Sequence, residues 1–192
     1  LVPAFHQHIF SKAGEQRVIV NLGGIANITV LSSNSSHALG YDTGPANTLM
    51  DQWILKHQSK EFDRNGQWAA SGDLIPELLE SMLADAYFSQ EAPKSTGREY
   101  FNLEWLEQFS PATYQPQDVQ RTLLELTAHT VSDALDNHFA QGNIYLCGGG
   151  AHNDFLVERI NKLAESFNVY STLKLGVNPD WVEAMAFAWL AF

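Results

Sequence analysis

Apolar and polar positions alternate over short stretches early in the chain. Residues 17–21, 27–32 and 37–42 are rich in Val, Ile and Leu, and they are separated by Gly23-Gly24 and by the run "SSNSS". Short apolar runs bounded by turn residues predict a meander of three antiparallel strands. The period then changes. Leu49, Met50, Trp53 and Ile54 recur at helical spacing, which predicts a helix over about 47–58. Thr48 and Asp51 are spaced as a capping box at its start.

"FDRNGQWAASG" is turn chemistry with room for a short helical turn, and "DLIPELLESMLADAYF" is amphipathic and helical. A polar loop, "EAPKSTGREY", and a short helix, "NLEWLEQF", precede a long helix over 117–139. Val119, Leu123, Leu126, Val131, Leu135 and Phe139 keep its period. "NIYLCGGG" is a buried strand ending in three glycines, "AHNDFLVERINKLAESF" the helix after it, and "VYSTL" a further short strand. The last segment, "NPDWVEAMAFAWLAF", is apolar nearly all round, so a buried helix is expected. Three hairpin-linked strands followed by strands that alternate with helices predict an α/β architecture. It is a mixed five-stranded sheet with helices on both faces. Ligands on such sheets gather at loops beyond the strand ends.

Composition narrows the function. A hydrophobic share of 45% over 192 residues suffices for a sizeable core in one or two domains. The net charge of −11 argues against nucleic acid as a partner, because non-specific binding needs a basic face. Any polyanion would need local N–H groups, a Lys or Arg, or a metal ion. The single cysteine, Cys147, can form no intramolecular disulfide and suits a reducing cytoplasm. No run is long and apolar enough to span a bilayer, and no signal peptide is visible. The chain starts without Met, so a longer parent protein is expected.

Five stretches carry candidate chemistry. "NLGGIAN" is either a plain Gly-Gly hairpin or a phosphate loop, in which Gly23 and Gly24 free the backbone N–H groups and Asn21 and Asn27 add amides. "GYDTGPAN" is either a strand end with satisfied turn donors or a carboxylate, Asp42, placed to bind a sugar hydroxyl or a hydrated magnesium ion. "CGGGAHN" is either a tight strand-to-helix turn with Asn153 as N-cap or a backbone platform, Gly148 to Gly150, against which a ligand lies. In "NPDWVEAMAFA", Asp180 and Glu183 have capping-box spacing, yet Glu183 is a rare charge on an apolar helix and is also a candidate for a cleft. "PKSTGRE" is either a solvated loop or an anion site, with Lys94 and Arg98 as its cations. The histidines form no recognisable metal site. Cys147 fits a small buried hydrophobe.

In their order, "VNLGGIANIT", "GYDTGPANTLMDQW", "PKSTGREYFN", "CGGGAHN" and "EAMAFAWLA" resemble the anhydro-N-acetylmuramic acid kinases, over the whole chain. The resemblance is to the C-terminal half of that family, within the sugar kinase, Hsp70 and actin superfamily. It implies a ribonuclease-H-like domain of the actin-like ATPase fold over 17–192, with a helical insertion at about 60–115. Residues 1–16 would then be the end of a first domain or an interdomain segment.

The resemblance also implies a reaction: ATP and Mg2+ are used to open and phosphorylate 1,6-anhydro-N-acetylmuramic acid in cytoplasmic peptidoglycan recycling. By the same resemblance, Asn21, Gly23, Gly24 and Asn27 hold phosphates. Asp42, Thr43, Gly44 and Asn47 line the cleft near ribose or magnesium, without direct protein ligation of the metal. Gly148, Gly149, Gly150 and Asn153 hold adenosine, Lys94 and Arg98 meet a substrate anion, and Glu183 plays a supporting part in catalysis. The family's general base, an aspartate, and its other phosphate loop lie upstream of Leu1. Ala46 stands where the family usually has Gly. A missing N-terminal domain and a small amino sugar are the implied partners, and oligomeric state is left open, a homodimer included. The competing readings are a non-catalytic nucleotide- or amino-sugar-binding module and another sugar kinase of the superfamily.

Overall fold

The computed structural model describes residues 2–32 and 38–191. Helix α1 (Val2–Phe10) leads into strands β1 (Arg17–Leu22), β2 (Ile25–Leu31) and β3 (Leu39–Pro45). Helices α2 (Asn47–Gln58), α3 (Gln67–Ala70), α4 (Pro76–Leu83), α5 (Leu103–Glu107) and α6 (Pro116–Asp136) follow. Strand β4 (Gly142–Cys147), helix α7 (Asp154–Leu163), strand β5 (Phe167–Ser171) and helix α8 (Val182–Leu190) complete the order. The five strands form one sheet in the order β3-β2-β1-β4-β5. β1 is antiparallel to β2 and parallel to β4, and β5 is parallel to β4.

The alternation along β1 sorts its side chains between two hydrophobic clusters. Val18, Val20 and Leu22 join a large one with residues of α2, α4, α6 and α7. Ile19 joins a smaller one with Phe5 and Phe10 of α1, Tyr145 and Cys147 of β4, and Val182 and Ala186 of α8. This is the period of two that a strand imposes, and it puts helices on both faces. Each fully buried branched side chain contributes about 1.5–3 kcal/mol. Helix α6 is buried along most of its length. Its Glu125, 1% exposed, receives Arg159 Nη2 at 2.7 Å and Arg121 Nη1 at 2.5 Å. Burial alone would raise that carboxyl. The hydrogen bonds from Arg159 and Arg121 outweigh it and hold the group below its usual range.

Several expectations change. The third strand was expected over 37–42. His37 lies outside the described residues, and the strand runs on to Pro45, with a register shift at Ala26/Asn27 in its partner. "DTGP" is therefore part of an edge strand rather than a turn. The helix over 73–88 shortens to α4, with Pro76 at its first turn, where a missing N–H costs nothing. The capping boxes Thr48/Asp51 and Asp180/Glu183 do not form. Thr48 lies inside α2 and accepts from Gln52 Nε2 at 3.0 Å, while Asp180 meets His152 at 2.7 Å. The last helix is not buried: only Val182 and Ala186 are, while Trp181 and Phe187 are more than 60% exposed. Its apolar circumference exceeds what one sheet face can cover. Residues 2–10 pack on α8 and β2 within the smaller cluster.

Candidate active site

The carboxyl ends of the parallel strands β1 and β4 converge. β1 ends at the Gly23-Gly24 turn, and the two residues closing that turn, Leu22 and Ala26, face each other across the hairpin. The turn carbonyls have partners. Ala46 and Thr48 donate their N–H groups to Gly24 O at 2.9 and 3.0 Å, and Asn47 donates to Gly23 O at 3.0 Å. The first turn of α2 is thus capped by the hairpin instead of by a side chain, satisfying donors that a helix start leaves open. Asn47 adds a bond from Nδ2 to Leu22 O at 2.9 Å. Among the described residues, the Gly23 and Gly24 N–H groups donate to no backbone carbonyl outside the strand ladder.

β4 ends at the three glycines. Gly148 has φ +78, and a Cβ there would strike the Asn21 side chain and the Leu22 backbone. A Cβ on Gly150 would meet Leu22 Cβ at 2.6 Å. Close packing against the hairpin accounts for those two glycines. Gly149 differs, because it is exposed and a Cβ would meet nothing nearer than Asn47 Nδ2 at 3.9 Å. Of the three, only Gly149 presents open backbone to a cavity. Asn153 caps α7, its side chain accepting from Leu156 N at 3.0 Å.

Two cavities flank this junction. One, of about 460 Å³, is lined by Asn47, Asp51, Asp63, Gly149, His152 and Asn153 among others. The other, of about 520 Å³, is lined by Asn21, Asn27, Asp42, Lys94, Ser95 and Glu183 among others. Of the residues expected to hold adenosine, Gly149 and Asn153 line the first cavity, whereas the expected phosphate amides Asn21 and Asn27 line the second. Glu183, freed from capping, faces the second cavity. Its charge, after burial, helps push the neighbouring Cys147 thiol up to about 12, so this cysteine is a buried, un-ionised side chain. His6, also at this cavity, contacts Thr29 Oγ1 at 2.8 Å, and burial lowers it to about 4, leaving it neutral.

Two motifs expected to act separately are joined. Asp42 N donates to Lys94 O at 3.0 Å. The Asp42 carboxylate accepts from Ser95 Oγ and Thr96 N, both at 2.9 Å. Tyr87 Oη donates to Asp42 O at 2.7 Å. "PKSTGRE" is thus a strap along the open edge of β3. Thr43 is buried, with Oγ1 donating to Ala26 O at 3.4 Å, and Gly44 has φ +152 beneath Phe88. Both help hold the edge strand in place, and neither lines the two cavities beside the hairpin, although Thr43 lines a third with Phe88 and Lys94. Lys94 Nζ donates to Tyr87 O and Phe88 O at 3.0 and 3.1 Å, above the Tyr87 ring. Arg98 lies over the hairpin turn: a Cβ on Gly24 would meet its Nε and an Nη at 2.7 Å.

Sequence reasoning missed Asp51, which it assigned to a cap. A signal was available, since Asn47 and Asp51 are one helical turn apart on one face. Burial pushes the Asp51 carboxyl up to about 6, Arg98 opposing and Asp63 adding to the shift. Asp63 itself accepts from Trp68 N and Ala69 N at 2.9 Å and holds α3. Among the described residues no three His, Cys, Asp or Glu side chains group so as to hold a metal ion.

A family model described as anhydro-N-acetylmuramic acid kinase matches residues 1–192. Proteins of that name from Shewanella sp. (strain W3-18-1) and Shewanella baltica (strain OS223) are 49% and 50% identical to the chain over 193 residues. Each match covers 100% of this chain and 52% of the relative. The chain thus spans about half the length of the curated relatives it matches. Among solved structures it resembles the activator of 2-hydroxyisocaproyl-CoA dehydratase from Clostridium difficile with bound ADPNP. That likeness has TM-score 0.55, 16% identity, and 96% and 62% of the two chains covered. It also resembles xylulose kinase from Rhodospirillum rubrum, with TM-score 0.54, 12% identity and 96% and 40% covered. These likenesses are of fold, that of the actin-like ATPases and sugar kinases. With the match to the family model running the length of the chain, and relatives half identical over all of it, the chain belongs to the anhydro-N-acetylmuramic acid kinase family.

Proposed function

We propose that this chain is the C-terminal, nucleotide-holding half of a kinase that acts on 1,6-anhydro-N-acetylmuramic acid. The whole protein opens the internal ether with water and transfers the γ-phosphoryl group of ATP to the 6-oxygen. ADP and N-acetylmuramic acid 6-phosphate are the products, and the setting is peptidoglycan recycling in the cytoplasm. The observation that carries the reading is the convergence of the Gly23-Gly24 turn and Gly149 at the ends of two parallel strands, between two cavities.

Adenosine fits the Asn47, Gly149 and Asn153 side, where the backbone is open. Phosphates fit the backbone N–H groups of the glycine turn, which replace hydration with fixed dipoles. Phosphoryl transfer depends mostly on such positioning and charge stabilisation. Magnesium, which keeps several waters and needs few carboxylates, would neutralise phosphate charge. Asp42 is the nearest fit here, through its second carboxylate oxygen and a water shell. The amino sugar fits the Asn27, Asp42 and Glu183 side, with Glu183 accepting from a sugar hydroxyl. The water-activating base and the opposing phosphate loop belong to the first half of the protein.

The test is made on the full-length protein that contains this chain. With ATP, magnesium and 1,6-anhydro-N-acetylmuramic acid in labelled water, the product should be a 6-phosphate carrying the water label, formed one for one with ADP. Phosphorylation without incorporation of label, or no turnover of this sugar, would overturn the reading.

A further inference from the structure

The insertion between α2 and α6 carries two Arg side chains, Arg64 and Arg98, that make no hydrogen bond or ion pair with a described residue; Arg64 lies over the Phe62 ring, and Arg98 lies at the hairpin. Arg17 is engaged by Glu15 and Phe10 O, Arg121 and Arg159 by Glu125. Lys94, the other cation of the strap, is held by two carbonyls. Arg98 is exposed and makes no hydrogen bond or ion pair with any described residue. Its guanidinium nevertheless has a defined seat. It lies so close over Gly24 that a Cβ there would sit 2.7 Å from two of its nitrogens. Glycine leaves room for that approach, and a Cβ would push the guanidinium aside.

Two further features fix the seat. The strap that delivers Arg98 is tied to β3 by the Asp42 carboxylate through Ser95 and Thr96, and it is closed behind Arg98 by Tyr100 N and Phe101 N donating to Gly97 O at 3.1 Å. The turn beneath the guanidinium is the one whose carbonyls are taken by α2 and whose glycine N–H groups, among the described residues, donate to no backbone carbonyl outside the strand ladder. A planar fork of five donors is thus held beside the backbone of the glycine turn, in a chain of net charge −11. Free donors collected at one point call for an anion with several oxygens.

We propose that Arg98 binds the phosphate chain of the nucleotide, over the Gly23-Gly24 turn, rather than the carboxylate of the sugar. The insertion then supplies an arginine to the phosphates from within the chain, and the need for glycine at 24 comes from this arginine as much as from the phosphates. The inference rests on the nucleotide reading of the hairpin given above. A guanidinium forms bidentate, charge-assisted bonds to phosphate oxygens, which Lys cannot reproduce.

The experiment measures binding to the full-length protein by calorimetry, using ATP, ADP and adenosine, together with steady-state KM values for ATP and for the sugar. Arg98→Gln is expected to weaken ATP and ADP binding by roughly 10- to 100-fold, the range for bonds to a charged group. Adenosine binding and the sugar KM should be unchanged. Arg98→Lys should recover only part of the loss. Gly24→Ala, which evicts the guanidinium, should repeat the selective loss of ATP and ADP. A circular dichroism spectrum equal to that of the unaltered protein shows that each variant folds. Equal ATP affinity in Arg98→Gln, or a raised sugar KM with unchanged ATP binding, overturns the proposal. Failure of the unaltered protein to bind ATP would instead remove the nucleotide reading beneath it.

Discussion

Asp51 sits part-buried on the first turns of α2 and makes no hydrogen bond to a described residue. Its carboxyl is pushed up to about 6 by burial, with Arg98 opposing and Asp63 adding. An unfolded chain titrates this group near ~3.9, so the folded protein holds the proton more tightly. The stability linked to Asp51 is therefore greatest below the unfolded value and is lost as pH rises through about 6. Asp51→Asn keeps the shape and removes the charge. The variant should match the unaltered protein in acid and exceed it near neutrality by about 1 kcal/mol, a figure reduced for partial exposure and screening. Urea unfolding across that pH range checks this, and a difference that does not vary with pH would exclude Asp51 as its source. At this scale the sequence was only half readable. Asn47 and Asp51 lie one turn apart, so their shared face was visible in the spacing. That the helix start is capped by the Gly23 and Gly24 carbonyls was not, because a cap supplied from 22 to 24 residues away leaves no local pattern.

Between elements, the strap and the edge strand act as one piece. An open strand edge exposes unpaired backbone groups, and residues 94–96 cover the edge of β3 through Asp42. The strap is backed in turn by an aromatic cluster in which Tyr87, Phe101 and Trp105 meet edge to face. Asp42→Ala should leave Ser95 Oγ and Thr96 N without their acceptor, a local cost of about 1.5–3 kcal/mol for bonds to a charged group. Hydrogen exchange should then rise at Thr96 and its neighbours while α6 stays protected, and the KM for ATP should rise as Arg98 loses its seat. Unchanged exchange at Thr96 would show that the aromatic cluster alone holds the strap. The elements themselves were largely legible: the periods of two and of 3.6 mark β1, β2 and α2 within a residue or two of where they lie, while α6 ends at Asp136, three residues short of the expected Phe139. β3 was the exception. "DTGP" carries two of the strongest turn residues, and only pairing with β2, a tertiary effect, keeps it extended.

On the scale of the molecule, α8 is the unresolved face. Trp181, Met185 and Trp189 recur every fourth residue and so form one stripe, and all three are exposed, as is Phe187. α1 lies beside it, with Phe5 and Trp189 ring centroids 6.1 Å apart. The expectation of a buried helix failed here for a physical reason. An all-round apolar helix needs cover on both sides, and the sheet supplies cover on one. The chain spans about half of its relatives' length, and on the proposed function the first half of the kinase would be the cover for this stripe. Two outcomes follow for the 192-residue chain made alone. It should bind an apolar dye strongly and self-associate, as exposed patches of this kind do. It should also turn over little or no 1,6-anhydro-N-acetylmuramic acid, since water activation needs a carboxylate within hydrogen-bond reach and the expected one lies upstream. Adding the preceding half as a separate chain should lower dye binding and restore turnover together. Trp181→Ser with Phe187→Ser should abolish that rescue while leaving the unfolding of the sheet unchanged, because neither side chain belongs to the core clusters. Rescue that is indifferent to the double variant would place the contact between the halves elsewhere than on α8.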